Sequence, residues 1–292
     1  MTTTDSRTFS IDVTRELPAA PDRVYHRWTD ADALARWFAP PTYRTVHAEA
    51  DPRIGGAWRL DFAADSGEHR YTEQGIFRAL DPNTRVELTL QQVDGETTNS
   101  ETLVTVTFAD IGTAEHPRTL LRFTQSGYTS LALRNANQDG WLGCFDSLDR
   151  DLAADAGAAE LRALFATWFD ASTRKDVDAQ MEPIADDIVS YEHDTPQEYR
   201  GVEAVRAVCQ AGMEYQTGDF RWDIPDLQIR IAGDVAVTWG LNRMRNVASD
   251  GSVRVDWSRG TRIFERRDGR WQMIHQHVSF PVDSEGRAST ER

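Results

Sequence analysis

Residues 268–279 read Asp-Gly-Arg-Trp-Gln-Met-Ile-His-Gln-His-Val-Ser, and the fold of the second half turns on this stretch. Asp268-Gly269 is turn chemistry, and Trp271, Met273, His275, His277 and Ser279 then fall on every second position. Two-residue alternation is strand periodicity, with one face given to a core. Working backwards, similar stretches cover 253–265, 235–247 and 220–232, and the last strand is expected over 270–282. Gly233-Asp234, Ser249-Asp250-Gly251 and Arg267-Asp268-Gly269 separate them, so the four form an antiparallel meander. By the same alternation Trp257, Arg259, Thr261 and Ile263 share a face, as do Trp239, Leu241 and Arg243. All are assigned to the interior, with the Trp271 parity.

Helical spacing precedes the meander. Leu161, Leu164, Phe165, Trp168 and Phe169 lie at i, i+3, i+4, i+7 and i+8, one apolar face of a helix. Met181 and Ile184 mark a short second helix, 188–193 a strand, and Val202, Val205, Val208 and Cys209 a third helix. Three helices followed by a long meander predict a cone around an interior. The small-residue run at 153–159 is expected to be a linker.

The first half alternates too. Phe9, Ile11, Val13 and Leu17 open on strand parity, Pro21 starts a short helix with Val24, Tyr25 and Trp28, and a second is expected over 32–38. Strands are expected at 43–50, 57–62, 71–80, 85–91, 103–108 and 120–125, between Gly- and Asp-rich turns. Trp141, Phe145, Leu148 and Leu152 then mark one face of a long closing helix. A sheet curled against one helix leaves a hollow between them. Trp58 with Phe62 share one strand face, Tyr71, Glu73 and Phe77 another, and Tyr43, Thr45, His47 and Glu49 a third.

The 292 residues suit two domains, expected as 1–154 and 155–292, both α+β. Hydrophobic residues make up 40% and charged residues 27%, a globular balance. The net charge of −15, spread over both halves, disfavours nucleic acid and anionic membranes as partners. No apolar run approaches the ~20 residues of a membrane span. Residues 1–10 lack the pattern of a secretory signal, so a cytoplasmic location is expected. Cys144 and Cys209 are too few for a disulfide framework and have no CxxC spacing.

Two families are suggested. Leu17-Pro-Ala-Ala-Pro-Asp-Arg-Val-Tyr25, Leu34-Ala-Arg-Trp37-Phe38, Asp51-Pro-Arg-Ile-Gly-Gly-Ala-Trp58-Arg, and Thr124-Gln-Ser-Gly-Tyr128 ahead of Gly140-Trp141 resemble the Hsp90-ATPase-activator-homologue branch of the START/Bet v 1-like helix-grip superfamily (SRPBCC). Lys175-Asp-Val-Asp178, Ala185-Asp-Asp-Ile-Val189, Tyr199-Arg-Gly-Val-Glu-Ala-Val-Arg206 and the 268–279 stretch resemble the SnoaL/ketosteroid-isomerase-like branch of the NTF2-like superfamily. The first resemblance implies a helix-grip fold with a hydrophobic cavity. The second implies a cone that pairs into homodimers through its outer sheet face. Carried over residue by residue, the isomerase's general base falls at Glu192. Its oxyanion-donating tyrosine falls at Trp168 and its protonated aspartate at Thr261, which departs from the isomerase pair.

The combined expectation is a protein that handles a small hydrophobic or polyketide-like molecule. It works as an isomerase or cyclase by acid–base chemistry, without an organic cofactor. A non-catalytic ligand-binding or sensor protein is the alternative, and a cochaperone a third. Glu192 is the expected base, with His275, His277 and Arg259 polarising the ligand. Trp168, Tyr191, Trp239, Trp257 and Thr261 are expected to line the second pocket, and Trp58, Tyr71 and Trp141 the first. No metal is expected, since Glu192 and His193 point to opposite faces of one strand.

Overall fold

The computed structural model describes residues 8–193, 195–214, 216, 218–248 and 250–292. Most of the stretch examined for a signal, and Ser249 of one expected turn, lie outside them. The chain divides into two compact units, one ending at Ala156 and one beginning at Gly157. Among the described residues no helix is long and apolar enough to cross a membrane.

The first unit runs β1 (Phe9–Leu17), α1 (Pro21–Thr29), α2 (Ala31–Trp37), β2 (Tyr43–Ala50), β3 (Ala57–Ala64), β4 (Arg70–Asp81), β5 (Arg85–Asp94), β6 (Thr97–Thr98), β7 (Thr102–Asp110), β8 (Thr119–Tyr128) and the first part of α3 (Leu131–Thr173). Pro21 starts α1, where its missing N–H costs nothing, and the Asp30 carboxylate caps α2 by accepting from the Ala33 N–H at 2.8 Å. The sheet is antiparallel, in the order β1-β8-β7-β5-β4-β3-β2. Trp28, Trp37, Phe38, Phe123, Trp141 and Phe145 form one buried aromatic cluster between helices and sheet. Trp141 is at its centre, with ring centroids 4.4 Å from Phe123 and 4.9 Å from Phe38. Its indole N–H donates to Gln125 at 2.6 Å, and the Gln125 amide donates to Thr102 at 2.8 Å. Arg27, buried under α1, reaches Asp151 at 2.6 Å and also bonds Asp155, tying α1 to the acidic side of α3.

The run at 153–159 is helical and lies inside α3, where a linker was expected. Alanine is the best helix former, and one glycine costs only about 1 kcal/mol. Gly157 has a packing reason: a Cβ there would sit 2.9 Å from Ile231 and 3.2 Å from Trp271.

The second unit takes the last part of α3, then α4 (Val177–Met181), β9 (Ile184–Tyr191), β10 (Tyr199–Arg200), α5 (Val202–Glu214), β11 (Asp219–Asp223), β12 (Gln228–Ala232), β13 (Val235–Val247), β14 (Val253–Arg267) and β15 (Arg270–Ser279). The strand expected over 220–232 is two strands, because Pro225 cannot donate to the ladder. The sheet order is β10-β9-β15-β14-β13-β11, antiparallel except where β15 meets β9. Leu161, Phe165, Trp168, Ile188, Phe264, Trp271 and Met273 pack between sheet and helices.

Register shifts interrupt both sheets. On β2, Thr45 pairs with Phe62 and His47 with Asp61, leaving Val46 extra. On β15, Met273 pairs with Phe264 and His275 with Ile263, leaving Ile274 extra. One extra residue exchanges the two faces of every residue beyond it.

Because Trp141 is buried against Phe38, Phe123 and Phe145, replacing it with alanine should destabilise the first unit by about 3–5 kcal/mol. Urea unfolding followed by circular dichroism measures this directly.

Candidate functional site

The first unit holds a pocket of about 360 Å³ between the start of α3 and the strands β2, β4 and β5. Phe38, Tyr43, Tyr71 and Trp141 form its aromatic walls, and Glu73 and Cys144 lie inside it. Strand parity places Tyr71 and Glu73 on one face of β4, and helical spacing turns Trp141 and Cys144 toward them. At the mouth the Tyr43 hydroxyl meets His69 Nδ1 at 3.0 Å, and His69 Nε2 lies 3.1 Å from Asp94. That histidine is therefore already engaged.

Glu73 is the chemical centre of this pocket. It is only 8% exposed, and among the described residues no ion pair or side-chain hydrogen bond steadies its carboxyl. Burial alone pushes its pKa from 4.5 to about 8. Tyr71 and Tyr128 are held neutral by burial first and by the Glu73 charge second. Burial also raises the Cys144 thiol, whose S–H donates to the Phe38 carbonyl at 3.2 Å, so it is no nucleophile at neutral pH. His47 and Glu49, grouped by parity with Tyr43, lie beyond the extra residue Val46. They sit on the outer face, 3.1 Å from one another. Trp58 is core: its N–H donates to the Thr89 carbonyl at 3.0 Å, and it does not line the pocket. Tyr71 and Trp141 do line it.

On β13 and β14 the interior belongs to the parity opposite the expected one: Thr238, Asn242, Ser258, Arg262 and Phe264 are buried. On β15 Trp271 and Met273 are buried as expected, and Val278 is buried beyond the register shift. Arg259, Thr261, Trp239 and Trp257 are on the other face; Trp239 is 38% exposed and Tyr191 40%. Trp257 is half-buried there, with the Arg292 guanidinium 4.7 Å above its ring. His275 and His277 follow the extra residue Ile274, so they share a side with Tyr191 while Trp271 and Met273 face in. His275 Nδ1 meets the Val189 carbonyl at 2.8 Å. The grouping of Glu192 with His275, His277 and Arg259 is corrected: Glu192 is on the opposite side from all three.

Glu192 keeps the inward parity of Ser190. Its carboxylate accepts from the Ser190 hydroxyl and, at 2.7 Å, from the Gln276 amide. Gln276 in turn accepts from Arg262 Nε at 3.1 Å. Arg262 is 3% exposed, between Trp168 and Trp222 at 5.6 and 5.3 Å from their rings, and its Nη2 donates to Asn242 at 3.0 Å. Burial lowers its pKa to about 10, with the Glu192 charge opposing, so it stays cationic at neutral pH. On α5, Cys209 is raised to about 11 by burial first and Glu192 second. Among the described residues no three His, Cys, Asp or Glu side chains converge to hold a metal.

The sequence reading missed Arg262, Asn242 and Gln276. Their parity-mates Ser258 and Gly260 look like a solvent face, whereas Trp239 and Trp257 on the other side look like a core. The available signal was Phe264, which shares Arg262's parity.

Residues 18–153 match the model of the activator of Hsp90 ATPase homolog 1-like proteins, and residues 161–283 match that of the SnoaL-like domain. The chain thus carries an AHSA1-like region followed by a SnoaL-like one. Among solved structures, an NTF2-like protein from Pseudomonas putida is 29% identical over 48% of this chain and 97% of its own, with a TM-score of 0.44. A protein from Chromobacterium violaceum is 26% identical over 49% of this chain and 96% of its own, with a TM-score of 0.44. An AHSA1 protein from Silicibacter pomeroyi is 20% identical over 50% of this chain and 98% of its own, also with a TM-score of 0.44. No curated protein matches the chain.

The raised Glu73 pKa has a consequence for stability. The folded protein holds this proton more tightly than the unfolded chain does. The residue's contribution is therefore full below about pH 4.5 and is lost as pH rises toward about 8. Glu73→Gln should match the wild type near pH 5 and exceed its stability by roughly 2–4 kcal/mol near pH 8, read from urea unfolding at both values.

Proposed function

We propose that this protein handles a small, apolar, oxygen-bearing molecule, and that its working site is the first unit's pocket with Glu73 as the acid–base group. The buried, unpaired Glu73 carboxyl among aromatic walls carries this reading. At neutral pH most of it is protonated, and in that form it donates a hydrogen bond that holds a ligand carbonyl in place. The ionised fraction is a far stronger base than an ordinary carboxylate, suited to taking a proton beside that carbonyl. Isomerase- or cyclase-type proton transfer needs no organic cofactor, and a planar polyketide-like ring suits walls made of Trp141, Tyr71 and Phe38.

Binding without turnover is the second reading. It is favoured by one observation: Glu73 has no orienting partner among the described residues, whereas catalytic bases are usually held by a third group.

Outside this pocket, the outer sheet face of the second unit exposes Val235, Trp239 and Tyr191. We infer that it pairs two copies of the chain.

A neutral fluorescent naphthyl ketone should bind with constant affinity below about pH 7 and more weakly as pH passes about 8. Glu73→Gln should keep the affinity within about threefold and remove the pH dependence. With an unsaturated ketone as substrate, Glu73→Gln should lower turnover by about 10²–10⁴-fold. Absence of any turnover in the wild type, with binding intact, selects the binding reading. Failure of the ketone to bind rejects the site. Light scattering should give the mass of a dimer for the wild type and of a monomer for Trp239→Glu.

A further inference from the structure

Arg262 is a buried cation whose hydrogen bonds go only to neutral amides. A guanidinium carries five N–H donors. Nε–H meets Gln276 and one Nη2–H meets Asn242, while Nη1 has no partner among the described residues. Among the described residues no carboxylate pairs with it. Glu192 acts on it only through space and through the shared Gln276 amide. An unpaired buried charge is unstable by several kcal/mol unless something neutralises it.

Nη1 is closed off from solvent, and the groups nearest it are small or themselves unpartnered. Thr238 stands directly across the ladder from Arg262, on the same inward face, and its buried hydroxyl also lacks a partner. Position 260, beside Nη1, is glycine. A Cβ there would sit 2.7 Å from Nη1 and 2.8 Å from the Asn242 amide nitrogen. Trp168, whose ring rests against the guanidinium, also lines a cleft of about 620 Å³ with Leu164, Thr167, Ala179 and Pro183. A single side chain therefore separates the cation from a space large enough for an organic molecule.

We infer that the interior of the second unit binds a small organic carboxylate on the unpartnered Nη1 of Arg262, with the Thr238 hydroxyl as a further donor. Nη1 carries two N–H donors and the Thr238 hydroxyl a third, so both oxygens of a carboxylate can be met. Nη1 lies on the side of the guanidinium away from the Nε–H, and so away from Gln276 and the Glu192 carboxylate behind it. The Trp168 and Trp222 rings would cover an aromatic or aliphatic body. A phosphate dianion is disfavoured, since one cationic side chain would have to offset two charges in a low-dielectric space. This site is separate from the Glu73 pocket and does not depend on that reading.

The test uses the full chain with sodium benzoate, neutral benzamide and inorganic phosphate. Trp168 and Trp222 serve as fluorescence reporters, and calorimetry gives the affinity. Benzoate should bind saturably with a dissociation constant below about 1 mM, and benzamide and phosphate should not. Arg262→Gln should weaken benzoate by about tenfold or more, and Thr238→Val by about threefold. Gly260→Ala should weaken it as well, by pushing on Nη1. If Arg262→Gln does not fold, the other two variants decide, and wild-type affinity in both overturns the site. It is equally overturned by no saturable benzoate signal, by benzamide binding as well as benzoate, or by phosphate binding in its place. Displacement by benzoate of the ketone bound in the first unit would locate benzoate there and also overturn it.

Discussion

A β-strand presents two faces that alternate residue by residue, and in both units this constraint decides which strand side chains enter the interior. The alternation holds only while each residue has one partner. Val46 on β2 and Ile274 on β15 have none in the ladder, and each reverses the faces beyond it. In the first unit the reversal sends His47 and Glu49 outward and leaves Glu73 as the carboxyl in the pocket. In the second it turns His275 and His277 outward and brings Gln276 opposite Arg262. The polar network of the second interior thus owes its composition to a one-residue irregularity, whereas Glu73 in the first stands on an unshifted stretch of β4.

With the faces set, each buried charge has to be accommodated, and the molecule does so in three ways. Arg27 is held by Asp151 and Asp155, and the favourable bonds outweigh the desolvation that would lower its pKa. Glu73 has no counter-charge and answers burial by holding its proton. Arg262 can do neither fully. A guanidinium gives up its proton only at high pH, so it stays charged and is surrounded by amides, a serine-linked network and two indole faces. Structural pairing, proton storage and an unpartnered donor are three outcomes of one desolvation cost.

The candidate site was legible in part. Tyr71, Glu73 and Trp141 could be grouped from the sequence because the part of β4 that carries the first two has no register shift before them, and a helix keeps its own period. Trp58 was placed inside correctly, but its distance from the hollow depends on how far the sheet curls, which no local pattern contains. Arg262 was passed over because an arginine in alternation with Ser258 and Gly260 resembles a wet face. The opposite parity, with Trp239 and Trp257, resembles a core. Aromatic content marks a face to be covered, and an outer sheet face awaiting a second chain carries the same mark.

What the sequence determined alone is the order and type of most elements, the two resemblances, and the apolar face of α3 around Trp141. These depend on periodicity, turn residues and short motifs, all local quantities that survive without knowledge of the partner strands. Tertiary structure alone decided which parity faces inward after Val46 and Ile274. It also decided that Glu192 meets Gln276 while the two histidines face away from it. The physical reason is common to both: each depends on pairing or packing between residues distant in the chain. A strand by itself has no inside until its neighbours and the helices over them supply one.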